Sequence, residues 1–485
     1  MNIKTVFHVI SWLLGVVGLL MGLCGLVSFL RGEPVAAWTA LAYSSAGTIL
    51  VAAVLWGTTR NQRVLSRRDG LGVVAFGWLL AGVAGATPYY LAGLVETPMA
   101  ALFEAISGMT TTGATVLSHL EDIPDGLLLW RALTQFIGGM GVLILVVAIL
   151  PFAGAGGMQL YRAEMPGPSK DRIEPRVTST AKMLWGVYMM LTVALMLLLR
   201  VFGMSWFDAV CHSFTTMATG GFSTRSGSIA AFHSPAIEGV LMVFMLMAGI
   251  NYSLHYRVLR GEFKPWWKDG ELRFFLGIFL LATLAGTAML HHARAAVALS
   301  WTGALREASF TCASIMTTTG YTTADYDQWP VTVKAMLVLL MFMGGCAGST
   351  AGGIKVGRIQ VMLKAVIREV RLFMQPQAVI PVRMGRKFLD DEILLAILSF
   401  VALFLFTMLV GVLTMIPLTP DIQTAVSAVI TCMGNVGPGF AAVGPPMTYA
   451  DIPDLGKGLL ALLMLVGRLE LYTVLAIFMP AFWRR

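Results

Sequence analysis

Four short stretches of this chain combine glycine with hydroxyl or amide residues, a composition suited to presenting main-chain oxygens. The stretches are residues 110–115, 218–224, 317–323 and 434–439, and their pivot glycines are Gly113, Gly220, Gly320 and Gly437. Glycine among such residues lets the backbone aim carbonyls in one direction. Four loops of this kind around one axis can replace the water shell of a monovalent cation, as four carbonyl-lined loops do in potassium channels.

The chemistry predicted from these stretches is the reversible desolvation of a cation, which makes and breaks no covalent bond, so no enzyme activity is predicted. The natural ligands are the carbonyls at and just before each glycine. The segment before each loop is expected to be a short helix whose negative C-terminal dipole end faces the ion. The residues expected to bind the ion are Thr111, Thr112, Gly113, Ala218, Thr219, Gly220, Thr318, Thr319, Gly320, Asn435, Val436 and Gly437.

The composition places these loops in a membrane protein. Hydrophobic residues make up 57% of the 485 and charged residues only 12%, whereas soluble domains carry about 25% charged residues. The apolar runs are long enough to cross a bilayer as helices, which need about 20 residues, and they lack the alternation of a membrane β-barrel. The first run, up to Leu30, is too long for the apolar part of a cleavable signal peptide, so we expect it to remain as a span.

The order of the apolar runs predicts an all-α integral membrane fold. Two spans come first, near residues 10–30 and 38–57, and a unit of span, short apolar segment, glycine loop and span then occurs four times. The short segments lie near residues 99–109, 206–217, 303–316 and 422–433. They are too short to cross and fit re-entrant helices, which are tolerated at membrane depth where they are buried or line water. The pattern predicts four pseudo-repeats around a central pore, with ten spans and four pore helices.

The repeats also define the boundaries along the chain. Their paired spans are expected near residues 71–91 and 127–152, 183–202 and 236–256, 274–291 and 331–374, and 393–416 and 455–478. The two N-terminal spans and a basic loop occupy 1–70, and the repeats occupy 71–178, 179–270, 271–388 and 389–485. The third repeat includes a glycine-rich run that interrupts its second span.

Positive charge is concentrated on the side opposite to the glycine loops. Lysine and arginine cluster in residues 58–70, 161–182, 257–273 and 355–387 and in the final pair Arg484-Arg485. Because positive loops face the cytoplasm, the glycine loops are expected to open to the outside. The net charge of +8 is therefore assigned to orientation and contact with membrane lipids. No basic groove with interleaved aromatic residues is visible, so no nucleic acid partner is predicted.

The five cysteines and seven histidines are scattered through the chain. They show neither the paired spacing of a disulfide framework nor the spacing of metal ligands. The sequence therefore predicts buried thiols, no covalent cofactor, and no metal ion other than a cation bound by the glycine loops.

Further stretches carry a family resemblance. They are residues 154–168, the loop at 220–224, the glycine-rich run at 344–353 and the tetrapeptide at 467–470. With these stretches the chain resembles, over essentially its whole length, the TrkH-type potassium uptake subunits of the Trk/Ktr/HKT superfamily. The two extra N-terminal spans mark the Trk branch of that superfamily.

The resemblance implies potassium uptake across the bacterial inner membrane through a gated, selective pore. It implies glycine loops that face the periplasm and basic loops that face the cytoplasm. It also implies a homodimer in which each protomer has its own pore, together with a cytosolic TrkA-type ring of regulatory subunits. That partner, rather than this chain, would bind the nucleotide, NAD or ATP, that controls the pore.

The resemblance also implies gating roles for a second set of residues. These are Gly344, Gly345, Gly348, Ser349, Thr350, Gly352, Gly353 and Arg468. In the family the glycine-rich run forms an intramembrane loop that obstructs the pore below the filter, and Arg468 corresponds to an electrostatic barrier. For the run, the alternatives are close helix packing and a phosphate loop, whose G-x-x-x-x-G-K-[ST] spacing it does not match. For Arg468, the alternative is a structural ion pair with Glu470, because arginine at mid-membrane costs at least about 2.5–3.5 kcal/mol.

Two loops depart from the common family pattern. The third has Thr319-Gly320-Tyr321 where many relatives carry Ala-Gly-Phe, and the fourth has one asparagine, Asn435, where relatives often show two. Both loops keep the pivot glycine. The departures therefore bear on selectivity among K⁺, Rb⁺ and Na⁺ and not on the existence of the pathway.

An alternative function is proton- or sodium-coupled secondary transport of potassium. Coupled transporters often have inverted repeats, whereas these repeats are parallel because every glycine loop lies on the same side, which favours a pore. Proton coupling would need a carboxylate within the membrane. Glu104 and Asp208, in the first two short segments, are candidates, and a role as helix-end or inter-repeat partners is the simpler expectation for both.

Overall fold

The computed structural model describes residues 1–59, 66–149, 173–293, 299–384, 387–469 and 471–483. Some sequence predictions fall outside these ranges. They concern the stretch 154–168, parts of the basic loops at 58–70, 161–182 and 355–387, the end of the span near 127–152, Glu470, Arg484 and Arg485.

The described residues are mostly helical, and the helices follow the order expected from the sequence. The N-terminal pair is α1 (Ile3–Leu30) and α2 (Val35–Thr58). The first repeat contains α3 (Arg67–Leu91), α4 (Pro98–Met109) and α5 (Asp125–Ile149). The second contains α6 (Ile173–Val201), α7 (Trp206–Met217), α8 (Pro235–Ala248) and α9 (Tyr252–Leu259), followed by α10 (Phe263–Lys268).

The third repeat contains α11 (Gly270–His291), α12 (Trp301–Met316), α13 (Val331–Met341) and α14 (Val356–Met374). A two-residue antiparallel pair follows, β1 (Arg383–Met384) with β2 (Lys387–Phe388). The fourth repeat contains α15 (Asp391–Met415), α16 (Ile422–Gly434), α17 (Asp454–Arg468) and α18 (Leu471–Phe478), and α19 (Pro480–Trp483) ends the described chain.

Six described helices are long and apolar enough to cross a membrane. They are α1, α2, α3, α6, α11 and α15, and the pair α8 and α9 would make a seventh if it were one span. The chain is therefore a multi-pass membrane protein. The N-terminal pair packs through small residues that allow the backbones to approach closely: the Ser45 hydroxyl donates to the Gly18 carbonyl at 2.7 Å.

The short helices α4, α7, α12 and α16 begin in the same way. Each is preceded by a residue whose side-chain oxygen accepts a hydrogen bond from the backbone N–H three positions later, at 2.7–3.1 Å. The capping residues are Thr97, Ser205, Ser300 and Asp421. Such caps satisfy N–H groups that the first helical turn leaves free. The four repeats therefore begin their short helices with the same kind of cap.

The span predicted near residues 236–256 is wrong as a continuous helix. α8 ends at Ala248 and α9 begins at Tyr252, with a bend of 102° between them. At the break, the Cys346 N–H donates to the Gly249 carbonyl at 2.8 Å and the Tyr252 N–H donates to the Gly348 carbonyl at 3.1 Å. The helix breaks because these backbone groups bond to the glycine-rich run of the third repeat and not to the next helical turn.

The predicted span near residues 455–478 is also interrupted, since α17 ends at Arg468 and α18 begins at Leu471. The long stretch near 331–374 is divided by the glycine-rich run, as expected, with α13 ending at Met341 and α14 beginning at Val356.

The repeats pack in a closed order. α5 contacts α7, α8 contacts α12, α13 contacts α16, and α17 contacts α4, so the inner helix of each repeat lies against the short helix of the next. Buried apolar side chains of α4, α15, α16 and α17 belong to one cluster, which joins the fourth repeat back to the first. This closure brings the C-terminal ends of the four short helices together.

Candidate ion pathway

Each short helix ends in the same two hydrogen bonds. In the first repeat the Thr111 N–H donates to the Gly108 carbonyl at 2.9 Å, and the Thr112 N–H donates to the Ser107 carbonyl at 2.8 Å. The other three repeats make the equivalent pair, at 2.8–3.3 Å. This is a Schellman ending, in which one residue takes the left-handed conformation, usually glycine. Here the left-handed residues are Thr111, Thr219, Thr318 and Asn435, with φ of 53–57°.

A second residue with positive φ follows two positions later in every loop. These residues are Gly113, Gly221, Gly320 and Gly437, with φ of 74–100°. The residue between the two does not have positive φ. The four loops therefore share one sequence of backbone conformations, in which two residues with positive φ flank one without it.

The register of the second loop differs from the sequence prediction by one residue. The sequence predicts Gly220 as the pivot, but Gly221 has the positive φ, and Gly220 occupies the intermediate place of Thr112, Thr319 and Val436. Ala218 is accordingly the last residue before the left-handed Thr219 and corresponds to Thr110, Thr317 and Gly434. Because Gly220 and Gly221 are adjacent, the glycines alone do not indicate which of them has the positive φ. The Thr-x-Gly spacing shared by the first three loops is the signal that identifies it.

The four loops meet in a closed ring. A Cβ placed on Gly113 would lie 2.2 Å from the Gly220 oxygen, and one on Gly221 would lie 1.9 Å from the Thr319 oxygen. A Cβ on Gly320 would lie 2.0 Å from the Val436 oxygen, and one on Gly437 would lie 2.7 Å from the Thr112 oxygen. Each glycine thus faces a carbonyl of the next loop, and the fourth loop returns to the first. Only glycine fits these contacts, since no side chain can approach an oxygen so closely.

Hydroxyl groups brace the ring from behind. The Thr110 and Thr112 hydroxyls lie 2.8 Å apart, and the Thr317 and Thr319 hydroxyls repeat that distance in the third loop. In the fourth loop the Tyr449 hydroxyl donates to the Gly437 carbonyl at 2.9 Å. Tyr449 is buried, and sequence reasoning did not single it out.

Tyr321, one of the departures from the family pattern, connects two repeats. Its hydroxyl lies 2.5 Å from the Thr215 hydroxyl of α7 and accepts from the Thr216 hydroxyl at 3.2 Å. The Ser314 hydroxyl of its own short helix donates to the Tyr321 carbonyl at 2.7 Å. A phenylalanine here would leave the α7 hydroxyls without this partner.

The two membrane carboxylates considered for coupling are both engaged. Glu104 is completely buried, and its Oε1 accepts from Arg131 Nε at 2.7 Å. Arg131 also donates to the Ser223 carbonyl at 2.9 Å, which joins the first repeat to the second loop. Asp208 pairs with Arg225 at 3.2 Å and accepts from the Thr224 hydroxyl at 2.6 Å. Both carboxylates therefore hold loops in place, as the simpler expectation had it.

The glycine-rich run lies directly against the ring. Its Gly352 N–H donates to the Thr318 hydroxyl at 2.7 Å, and its Thr350 hydroxyl donates to the Met217 carbonyl at the end of α7 at 2.9 Å. A Cβ on Gly352 would lie 2.7 Å from the Asn435 Cβ. The run thus contacts the ends of three of the four short helices.

The fold of the run depends on its glycines. A Cβ on Gly344 would lie 1.9 Å from the Gly352 oxygen, and one on Gly345 would lie 2.6 Å from the Gly249 oxygen. Gly348 and Gly353 have φ of 73° and 62°. Ser349 closes a turn by donating to the Cys346 carbonyl at 2.6 Å. All the residues of the run predicted to take part in gating therefore belong to one compact loop next to the ring.

Arg468 reaches this loop from the fourth repeat. Its Nη1 donates to the Thr350 carbonyl at 2.7 Å, and the side chain is only 5% exposed. Within the described part of the chain, its Nε and Nη2 have no hydrogen-bond partner. The alternative ion pair involves Glu470, which lies outside the described residues. The guanidinium charge therefore sits beside the loop, with donors that no described acceptor takes up.

Comparisons with known proteins agree with this architecture. A family model for TrkH, described as a cation transport protein, matches residues 39–485. The Trk system potassium uptake protein TrkH of Salmonella typhimurium is 40% identical over 441 residues, which cover 90% of each chain. TrkH of Halomonas elongata is 39% identical over 498 residues and covers 100% of both chains. The crystal structure of the potassium transporter TrkH from Vibrio parahaemolyticus matches with a TM-score of 0.90 at 34% identity, covering 100% of both chains.

Proposed function

We propose that this chain, which belongs to the TrkH family of cation transport proteins, is the membrane subunit through which a Trk system takes up potassium. The relatives just described are potassium uptake proteins by name, and they match the chain over most or all of its length. The observation that carries the mechanism is the closed ring of four loops, in which each glycine faces a carbonyl of the next loop.

The ring would act as a selectivity filter. Rows of carbonyls on Thr111, Thr112 and their equivalents in the other loops replace the water around K⁺ as it enters. The four short helices end at the ring, so the negative ends of their dipoles favour a cation there. The residues that do this are those proposed from the sequence, except that the second loop is shifted by one residue. There Thr219, Gly220 and Gly221 take the three places, and Ala218 lies one position before them.

The glycine-rich loop and Arg468 would form the gate. The loop lies against the ends of three short helices, and Arg468 bonds to its Thr350 carbonyl. A buried positive charge below the ring opposes the passage of a cation until the loop moves. The Gly352 N–H bond to Thr318 joins this gate to the ring itself.

The orientation follows from the distribution of charge. We assign the chain to the bacterial inner membrane, with the ring open to the periplasm and the basic loops in the cytoplasm, because positive loops are retained inside. The family resemblance supports a homodimer with one pathway in each protomer. It also supports a TrkA-type cytosolic ring that binds NAD or ATP and acts on the gate from the side of the basic loops.

Transport by purified protein in liposomes tests this proposal. The protein is expected to admit ⁸⁶Rb⁺, with competition by K⁺ and far less by Na⁺, when no proton gradient is present. The control is an equal amount of liposomes without protein. Flux that stops when the proton gradient is removed would favour the coupled transporter, and equal competition by Na⁺ would contradict the filter.

A further inference from the structure

One buried amide lies behind the second loop and touches it at two points. Gln135, on α5, donates from Nε2 to the Gly220 carbonyl at 2.7 Å, and its Oε1 accepts from the Phe222 N–H at 3.1 Å. Its side chain is completely buried. The two bonds enclose Gly221, the residue with positive φ in this loop. The amide therefore connects the first repeat to the backbone of the second loop on both sides of its pivot.

Gln135 also explains why the second loop has a glycine in the intermediate place. A Cβ on Gly220 would lie 2.3 Å from the Gln135 Cδ and 2.5 Å from its Oε1. The other loops carry Thr112, Thr319 and Val436 at this place. The space that a β-branched side chain takes in three loops is thus filled in the second loop by an amide from a neighbouring helix.

The first and third loops are stabilised at the equivalent place by a hydrogen bond between two threonines. There the intermediate threonine bonds through its hydroxyl to the threonine two positions earlier, at 2.8 Å. Gly220 has no hydroxyl and cannot make that bond. Gln135 supplies a hydrogen bond to the Gly220 carbonyl itself, which has two lone pairs and keeps one for another partner.

We propose that Gln135 is a positioning residue for cation selectivity, which holds the Gly220 carbonyl in register with the other three and makes Gly220 and Gln135 an interdependent pair. The inference rests on the proposed function, because it takes the ring as the site where K⁺ is desolvated. Gln135 acts through the carbonyl and does not contact the ion. Without the amide, the Gly220 carbonyl can move toward or away from the axis of the ring. The opening between the four carbonyls then no longer has a fixed width.

The first test replaces the amide with an apolar side chain of similar size. In Gln135→Leu, both hydrogen bonds are lost, and we expect the ratio of K⁺ to Na⁺ flux in liposomes to fall about fivefold to tenfold, which corresponds to about one net hydrogen bond. K⁺ flux itself is expected to persist. The matched control is Gln423→Leu, the same change at an exposed position near the start of α16, which should leave the ratio unchanged.

The second test uses the interdependence of the pair. Gly220→Thr alone is expected to lower the ratio because its side chain clashes with Gln135. The double variant Gly220→Thr with Gln135→Ala removes the clash and puts a β-branched side chain in the space of the amide, as in the other three loops, so it should recover part of the wild-type ratio. Recovery of the ratio would show that the fit between Gly220 and Gln135, and not general damage to the fold, causes the loss of selectivity. This test can be made even if Gln135→Leu fails to assemble.

Two results would overturn the inference alone: a Gln135→Leu protein as selective as wild type, or a double variant no better than Gly220→Thr. A wild-type protein that does not prefer K⁺ over Na⁺ would overturn both this inference and the proposed function.

Discussion

Threonine is an unusual choice for the left-handed conformation, and three of the four loops place one there. A β-branched residue with positive φ is a true outlier, and such strain costs about 1–3 kcal/mol at each position. The cost recurs at Thr111, Thr219 and Thr318 with φ within a few degrees. Strain repeated at equivalent places is explained by a function that needs the carbonyl directions it produces.

Replacement of a pivot glycine tests the ring at a single residue. Gly113→Ser and Gly320→Ser each introduce a Cβ that would lie 2.2 Å or 2.0 Å from a carbonyl oxygen of the next loop. That loop must move, so we expect discrimination against Na⁺ to weaken while K⁺ flux persists. The measurement is the ratio of K⁺ to Na⁺ flux in liposomes.

The control for this test is Gly186→Ser, because a Cβ on that α6 glycine meets nothing within 4 Å. Unchanged flux ratios in both pivot variants would contradict the assignment of the ring as the filter.

Arg468 gives a second test at this scale. Arg468→Ala removes the positive charge and the bond to the Thr350 carbonyl, so ion flux should rise while the K⁺ to Na⁺ ratio stays at its wild-type value. Arg468→Lys, which keeps the charge, should raise flux less. Reduced flux from a folded Arg468→Ala protein would instead support a structural role.

At the scale of elements, buried polar groups connect the short helices to neighbouring helices and loops. Glu104 on α4 and Arg131 on α5 form one such link, and Arg131 extends it to the Ser223 carbonyl of the second loop. Removal of one partner from a buried pair leaves an uncompensated charge.

This pair yields a prediction about stability. Glu104→Ala should lower the free energy of unfolding by about 3–5 kcal/mol, because Arg131 is left buried without its partner. The matched control is Asp391→Ala, which breaks the exposed pair with Arg368 and should cost at most about 1 kcal/mol. Thermal unfolding of the detergent-solubilised variants measures both, and equal losses would contradict the structural role given to the buried pair.

The glycine-rich loop is the element whose role is most open to direct test. Deletion of Gly348, Ser349 and Thr350 removes its contacts with α7 and Arg468, so flux should become constitutive and independent of the proposed regulatory partner. Deletion of Pro376, Gln377 and Ala378, in the exposed connection after α14, is the control of equal length. A loop deletion that folds but still passes ions only when the proposed partner is added would show that the gate lies elsewhere.

The sequence predicted the short helices well, because each is an apolar segment that ends at a glycine loop. The predicted helix at 206–217 matches α7 at both ends. The sequence does not predict the break in the span near 236–256, because the break depends on hydrogen bonds with Cys346 and Gly348. These residues are almost a hundred positions away, and nothing in the sequence next to the break indicates the contact. Gln135 was missed for the same reason: a glutamine inside an apolar helix shows its role only when Gly220 is seen beside it.

At the scale of the whole molecule, one chain supplies all four loops of the ring, and the proposed filter resembles the four carbonyl-lined loops of potassium channels. Because the repeats differ in sequence, each loop is braced by its own set of residues: hydroxyl pairs in the first and third, Gln135 in the second and Tyr449 in the fourth. The closed packing of α17 against α4 completes the circle. Pseudo-symmetry therefore lies in the backbone, and the side chains that support it vary from loop to loop.

The most direct test of a single potassium-selective ring is the reversal potential of purified protein in a planar bilayer, with K⁺ on one side and Na⁺ on the other. The account predicts a reversal potential close to the equilibrium potential for K⁺, with no proton gradient required. A potential near zero, or current that appears only with a proton gradient, would contradict it.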